Sequence, residues 1–512
     1  MVAAGEKIVM SGLSRARTKL GAMDLLRLEA NRQLDPKRKA ELGQFMTPAN
    51  VARFMASLFS EKVEPARLLD AGAGVGSLTA AFIDRWGMSA MSVTAYEIDP
   101  TLASYLRTTL NGYGNGTFGA EVIMRDFIED AVNRIEFGGA PGFTHAILNP
   151  PYKKINSASG HRLLLRQVGI ETVNLYSAFL GLAIELMAEH GEIVAIIPRS
   201  FCNGLYYKPF REWLLKKTAI EHIHLFHSRT SAFNDDDVLQ ENIIIKLVRS
   251  KKQGRVTIST SSDTSFFDLQ SHDYPFGEIV HEDEDQKFIH VPLTPTQSGI
   301  NGLPMARRTL EELGLTVSTG PVVDFRVKEF LRAEPESGTV PLLYATHFAN
   351  GHMEWPRETK KPNALLNHPD MKKWLYPNGF YTVVRRFSSK EERRRIVAHV
   401  VDPKAFKADA LGFENHLNVF HAKKKGIGAD VAHGLSVFLN ATAVDDYFRR
   451  FSGHTQVNAT DLRLMRYPEA KALEALGRWA QEKGELTQEM IDQQVEKMSS
   501  YGMSAYGRRK NS

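Results

Sequence analysis

The residues best suited to chemistry in this chain are Asn149-Pro150-Pro151-Tyr152. An exocyclic amino group on an aromatic ring is a poor nucleophile, because its lone pair is delocalised into the ring. The Asn149 side-chain oxygen and the Pro150 carbonyl are both acceptors. If each takes one N–H, the nitrogen is drawn towards tetrahedral geometry and its lone pair can face an electrophilic methyl group. Proline at positions 150 and 151 fixes φ, so the acceptors are positioned in advance. The Tyr152 ring offers a face on which a base could stack. The competing reading is a strand that ends in a tight turn, and the rest of the chain must decide between the two.

The elements that position this tetrapeptide follow from its flanks. Ala146-Ile147-Leu148 is a short apolar run bounded by breakers, which predicts a buried strand. Two prolines cannot continue a central strand, so the tetrapeptide sits at a strand's carboxyl end, where open α/β sheets bind ligands. Three more predicted strands end in similar material. Arg67-Leu68-Leu69-Asp70 runs into a turn with Gly72, Gly74 and Gly76, where the backbone can approach a ligand and Asp70 suits a cationic group. The spacing is not the dinucleotide fingerprint, and no Walker lysine follows. Ser92–Tyr96 ends at Glu97, placed as a carboxylate that grips ribose hydroxyls. Glu121–Met124 leads to Asp126, an acceptor for an adenine amino group, and Phe127, which could pack on the ring. Thr47-Pro48 reads as a helix start, with threonine at the N-cap and proline at N1. Strands alternating with helices in this way predict a doubly wound, Rossmann-like α/β domain.

Composition narrows the class. At 512 residues there is room for two or three domains. A single cysteine, Cys202, excludes an internal disulfide framework and a cysteine-cluster zinc site, and fits a cytoplasmic protein; a small buried hydrophobe is its expected role. The net charge of +5 permits nucleic-acid binding without demanding it. No window reads as a membrane span or a signal peptide.

The order Gly-Gln-Phe-Met-Thr-Pro (43–48), Asp-Ala-Gly-Ala-Gly-Val-Gly (70–76), Tyr-Glu-Ile-Asp-Pro (96–100), Asp-Phe (126–127) and Asn-Pro-Pro-Tyr (149–152) resembles the γ-type adenine-N6 DNA methyltransferases of type II restriction–modification systems, the TaqI methyltransferase group. The resemblance covers roughly residues 40–250. It implies S-adenosylmethionine as cofactor, with Thr47 and Asp70 at its methionine end, the Gly72 and Gly74 turn beside it, Glu97 on its ribose, and Asp126 and Phe127 on its adenine. It implies that Asn149 and Pro150 hold the target amino group, with Pro151 stiffening the turn, and that Tyr152 stacks on the flipped base. Phe233 resembles a second stacking aromatic, and Lys153 a phosphate contact. No metal is needed. Asp235-Asp236-Asp237 with Glu241 and Lys246 has poor spacing for a nuclease site; Glu241 and Lys246 fit a strand edge better.

The expected organisation is an N-terminal helical segment (1–40), the catalytic domain (41–250), an edge extension and linker (251–304), a mixed α+β target-recognition domain (305–500) and a basic tail (501–512). In the recognition domain, Arg385, Arg386, Arg393-Arg394-Arg395 and Lys423-Lys424-Lys425 form basic clusters suited to phosphate contacts. The expected partner is double-stranded DNA, with a separate cognate endonuclease, no membrane, and a monomeric enzyme. Two rivals remain: an RNA or protein-glutamine N-methyltransferase, and a non-catalytic DNA-binding specificity protein.

Overall fold

The computed structural model describes residues 19–34, 46–60, 64–87, 90–113, 118–138, 142–226, 241–282, 284–292, 305–349, 352–388, 392–451 and 456–507. The chain divides into two compact units, Met1–Ser298 and Gly299–Ser512. The first is built on one twisted sheet. Its elements are α1 (Lys19–Gln33), α2 (Ala49–Ser57), β1 (Ala66–Ala71), α3 (Ser77–Trp86), β2 (Met91–Tyr96), α4 (Pro100–Asn111), β3 (Phe118–Ile123), α5 (Phe127–Glu136), β4 (Phe143–Leu148), α6 (Gly160–Gln167), α7 (Leu175–Leu186), β5 (Met187–Pro198), α8 (Lys208–Lys217), β6 (Thr218–Phe226), β7 (Asn242–Arg249), β8 (Arg255–Ser261) and β9 (Gln270–Pro275).

The strand order is β3-β2-β1-β4-β5-β7-β6-β8-β9. The first five strands are parallel. β7 runs antiparallel between β5 and β6. The chain winds outward from β1 to β3 and then returns to β4 on the other side, so the order reverses between β1 and β4. Crossover helices cover both faces, which explains why β1 and β4 are each buried at five of six positions. Two apolar cores result, one holding Leu69, Ala146, Leu148 and Ile193, the other Leu68, Ile147, Val194 and Ile196. α1 packs on this unit through Met23 and Ala30, and Leu34 just beyond it joins the same core. Its Asp24 Oδ1 accepts from the Ala49 amide at 3.3 Å.

The stretch 251–304, expected as an edge extension and linker, supplies β8 and β9 at the edge of the same sheet, and the compact unit runs to Ser298. β9 carries one buried residue, Tyr274, so backbone pairing holds it with no apolar alternation to announce it. Two expectations change here. Lys246 is not at a strand edge. It lies on interior strand β7, its side chain 6% exposed, and its ammonium bridges Glu192 at 3.1 Å and Glu221 at 3.0 Å. Glu241 pairs with buried Arg199 at 2.9 Å. Finally, α2 has Pro48 rather than Thr47 at its N-cap. The Thr47 hydroxyl is engaged elsewhere.

The second unit is mixed α+β. Strands Thr316–Thr319, Leu417–His421, Tyr381–Arg385 and Ala398–Val401 form an antiparallel sheet, and five short strands form another. Helices Ala429–Leu439 and Ala470–Lys483 pack closely enough that a Cβ on Gly434 would lie 1.9 Å from the Leu473 carbonyl oxygen, and one on Gly477 1.8 Å from that of Asp430. Only glycine permits this approach. Of the expected basic cluster 393–395, only Arg393 is exposed. Arg395 is 1% exposed, its amide donates to Asp445 Oδ1 and its guanidinium lies over Phe448. Arg394 donates to the carbonyls of Ile396 and Ala441. Lys423 and Lys424, by contrast, are exposed at a turn with positive φ. Residues 508–512 of the expected tail lie outside the described residues.

Candidate active site

The carboxyl ends of β1 to β4 surround a cavity of about 360 Å³, in the range of small-molecule sites. The turn after β1 forms its floor. Gly72 and Gly74 have φ of +80° and +59°, conformations side chains disfavour. The amides of Gly72 and Ala73 donate to the Tyr96 carbonyl at 3.0 and 2.9 Å, which ties the turn to the end of β2. A Cβ at Gly74 would meet nothing within 4 Å, so the peptide there faces open space.

Glu97 follows β2 and lines the cavity while only 5% exposed. Its Oε2 accepts from the Gly74 amide at 2.9 Å and its Oε1 from the Asp99 amide at 2.8 Å. Burial pushes its carboxyl up to about 7, although the two N–H groups oppose the rise. Each oxygen keeps a lone pair for a hydroxyl donor. Asp126 follows β3 and caps α5: its Oδ1 accepts from Ile128 N at 2.8 Å and Glu129 N at 3.2 Å. Phe127 beside it is 3% exposed and packs against Tyr96 and Phe179, its centroid 4.9 Å from each.

Asn149 follows β4. Its Nδ2 donates to Thr47 Oγ1 at 3.0 Å, across 102 residues of chain. That bond sets the amide's rotation and puts Oδ1 beside the Tyr152 hydroxyl. The Tyr152 hydroxyl donates to Ile196 O at 3.2 Å and touches Asn149 Oδ1 at 3.3 Å. Its ring packs against both apolar cores and stands edge-on to Tyr176 at 6.2 Å. Burial raises the Tyr152 hydroxyl far above the usual phenol range.

Of the sequence-predicted residues, Thr47, Gly72, Gly74, Glu97, Asp126, Phe127, Asn149, Pro151 and Lys153 line this one cavity. Pro150 is buried and Tyr152 half-buried beside it. Asp70 does not reach the cavity. It lies fully buried behind the turn, its Oδ2 accepting from Thr79 Oγ1 at 2.6 Å, and burial pushes its carboxyl up to about 7. Arg385 and Arg386 belong to the second unit, where Arg385 pairs with Glu392 and Arg386 donates to the Asn415 carbonyl at 3.2 Å. Phe233 and Asp235–Asp237 lie outside the described residues. Cys202 is fully buried, with its thiol pushed up to about 12. Met46, Tyr96, Ile98, Leu102, His161 and Phe179 also line the cavity. Met46, Tyr96 and Ile98 belong to the motifs at 43–48 and 96–100, whereas Leu102, His161 and Phe179 follow no motif spacing and only the folded chain identifies them.

A carboxylate pair, an apolar slot and an open peptide face fit a ligand that combines hydroxyls, an aromatic ring and a cation. This donor set on a doubly wound sheet defines the S-adenosylmethionine-dependent methyltransferase fold. A family model described as Eco57I restriction-modification methylase matches residues 114–233. The chain is similar to type II methyltransferase M.BsuBI of Bacillus subtilis, 51% identical over 94% of this chain and 98% of that protein. It is similar to type II methyltransferase M.PstI of Providencia stuartii, 42% identical over 92% of this chain and 95% of that protein. Its fold resembles that in a cryoEM structure of a DrdV–DNA complex, with a TM-score of 0.50 at 13% identity, covering 88% of this chain and 58% of that one. The chain therefore belongs to the type II DNA methyltransferases of restriction–modification systems. It binds DNA, and its cofactor is S-adenosylmethionine.

Proposed function

We propose that this methyltransferase modifies the N6 amino group of an adenine flipped out of duplex DNA. The observation that carries the reading is Asn149 at the carboxyl end of β4, lining the cavity with its amide held by Thr47. Asn149 Oδ1 and the Pro150 carbonyl each accept one amino N–H, which frees the nitrogen lone pair for in-line attack. The cofactor supplies an electrophilic methyl on a cationic sulfur. The residues' contribution is positioning and preorganised polarity, with no covalent intermediate on the protein.

Thr47 lies at the methionine end of the cofactor. Glu97 accepts from its ribose hydroxyls, and Asp126 and Phe127 hold its adenine. Asp70 acts from behind the turn rather than by contact, and supplies negative potential to the extent that it ionises above about pH 7. The Tyr152 ring supports the flipped base, and Phe233 stacks on it. Flipping costs a few kcal/mol, which stacking offsets in part. Lys153 contacts phosphate. The second unit reads the target site, with Arg385 and Arg386 beside its DNA contacts. The enzyme acts as a cytoplasmic monomer alongside a separate endonuclease. No helix among the described residues is long and apolar enough to cross a membrane.

The test is transfer of label from S-adenosylmethionine to unmethylated genomic DNA, followed by nucleoside analysis. N6-methyladenine that disappears in Asn149→Ala supports the reading. N4-methylcytosine would keep the fold and overturn the base assignment.

A further inference from the structure

We propose that His161 is a positioning residue for cofactor binding: it holds the Asp126 carboxylate in the orientation that receives the exocyclic amino group of the cofactor's adenine. This rests on the reading of Asp126 given above. α6 starts beyond the loop that follows the tetrapeptide, and Ser159 caps it by accepting from the Arg162 amide at 3.3 Å. His161 stands in the first turn of α6, with its Nε2 3.1 Å from Asp126 Oδ2. Asp126, Ser159 and His161 all line the cavity.

The two oxygens of Asp126 therefore do separate work. Oδ1 is consumed by the two amides that it caps. Oδ2 meets His161 and keeps one lone pair. A carboxylate held at Oδ1 alone can rotate its other oxygen away; a second hydrogen bond at Oδ2 removes that freedom. Nothing in α6 itself asks for histidine at this place, since a cationic side chain opposes the positive end of a helix dipole. The neighbour across the cavity does ask for it. The loop that delivers His161 is itself anchored, because Ile155 N donates to Val173 O and Leu175 N to Lys153 O, both at 2.8 Å.

The electrostatics agree. The bond to Asp126 raises the His161 imidazole, and although burial pushes Asp126 up, His161 and the capped amides bring it below the usual carboxylate range. The side chains are 35% and 27% exposed. A pair that open adds little stability by charge alone, so its effect lies in direction.

The experiment is calorimetric titration of S-adenosylmethionine into wild type, His161→Ala, His161→Gln, Asp126→Ala and the double variant, with kcat at saturating cofactor. We expect His161→Ala to weaken binding about threefold to tenfold, the loss of one partly exposed hydrogen bond, with kcat within about twofold of wild type. His161→Gln, whose amide can donate to the same oxygen, should recover most of the affinity. In the Asp126→Ala background, removing His161 should cost nothing further. If Asp126→Ala weakens binding but His161→Ala does not, or if the two losses simply add, the inference fails while the reading of Asp126 stands. If neither substitution moves the affinity, the reading of Asp126 fails.

Discussion

Glu97 should make affinity for the nucleoside half of the cofactor rise about tenfold between about pH 6 and about pH 8. The carboxyl is buried and titrates at about 7 rather than the usual 4.5. A ribose hydroxyl donates to the ionised form. If only that form binds, its fraction grows from about one-eleventh at pH 6 to about ten-elevenths at pH 8, hence the tenfold change. The sign can be checked on the unliganded protein. A folded-state value raised above the unfolded one contributes stability that is fully present below the unfolded value and is lost as pH rises through about 7, and a ligand that binds the ionised form restores it. The assay is calorimetry with methylthioadenosine, which keeps the adenine and ribose and lacks the titrating amino acid of the full cofactor. Glu97→Gln should bind more weakly and with a flatter profile; slope that survives in that variant belongs to Asp70, which titrates in the same range. A wild-type affinity constant within about twofold across the window would refute the reasoning.

Thr47→Val removes the acceptor that orients Asn149 and should lower kcat about fivefold to tenfold, whereas Thr47→Ser should restore it; equal effects from both would separate the hydroxyl from the amide. Lys246→Met leaves Glu192 and Glu221 without their shared cation and should lower unfolding stability by about 3 kcal/mol in guanidinium titrations; a loss under about 0.5 kcal/mol would show that Lys251 on Glu221, the Ser60 amide on Glu192 and water suffice for those carboxylates. Gly434→Ala drives a methyl into the Leu473 carbonyl and should destabilise the second unit by about 3 kcal/mol. DNA binding should then fail at a temperature where S-adenosylmethionine binding persists, and simultaneous loss of both would refute that separation.

Much of the catalytic unit was legible because its signals are local. An apolar run ending in Asn-Pro-Pro-Tyr or in a glycine turn states both the strand and its end, and those ends gather about one cavity. What escaped depends on partners distant in the chain. Lys246 reads as a surface lysine until Glu192 and Glu221 are placed beside it. Arg395 reads as a phosphate contact until Asp445, Phe448 and the helix carrying them cover it. The spacing of Thr47-Pro48 suggested a cap, yet the hydroxyl finds Asn149. β9 pairs through its backbone, and a backbone has no letter in the sequence. Asp70 stood at the right strand end, but how far its side chain reaches is a matter of depth, which spacing does not encode.

The sheet's reversal point also sets how the site comes apart. β1 and β4 share two registered residue pairs, against six between β1 and β2. The glycine turn stands on one side of this narrow seam and Asn149 on the other. Local opening at the seam parts the two halves of the site while leaving most of the sheet paired. Anything bound across it acts as a clasp and subtracts its binding free energy from the open population. The amides of Leu69 and Ala146 should therefore exchange with solvent deuterium sooner than those of β2 in the free enzyme, and be slowed selectively once S-adenosylmethionine is added. Exchange at these two positions would then report cofactor occupancy without any DNA present.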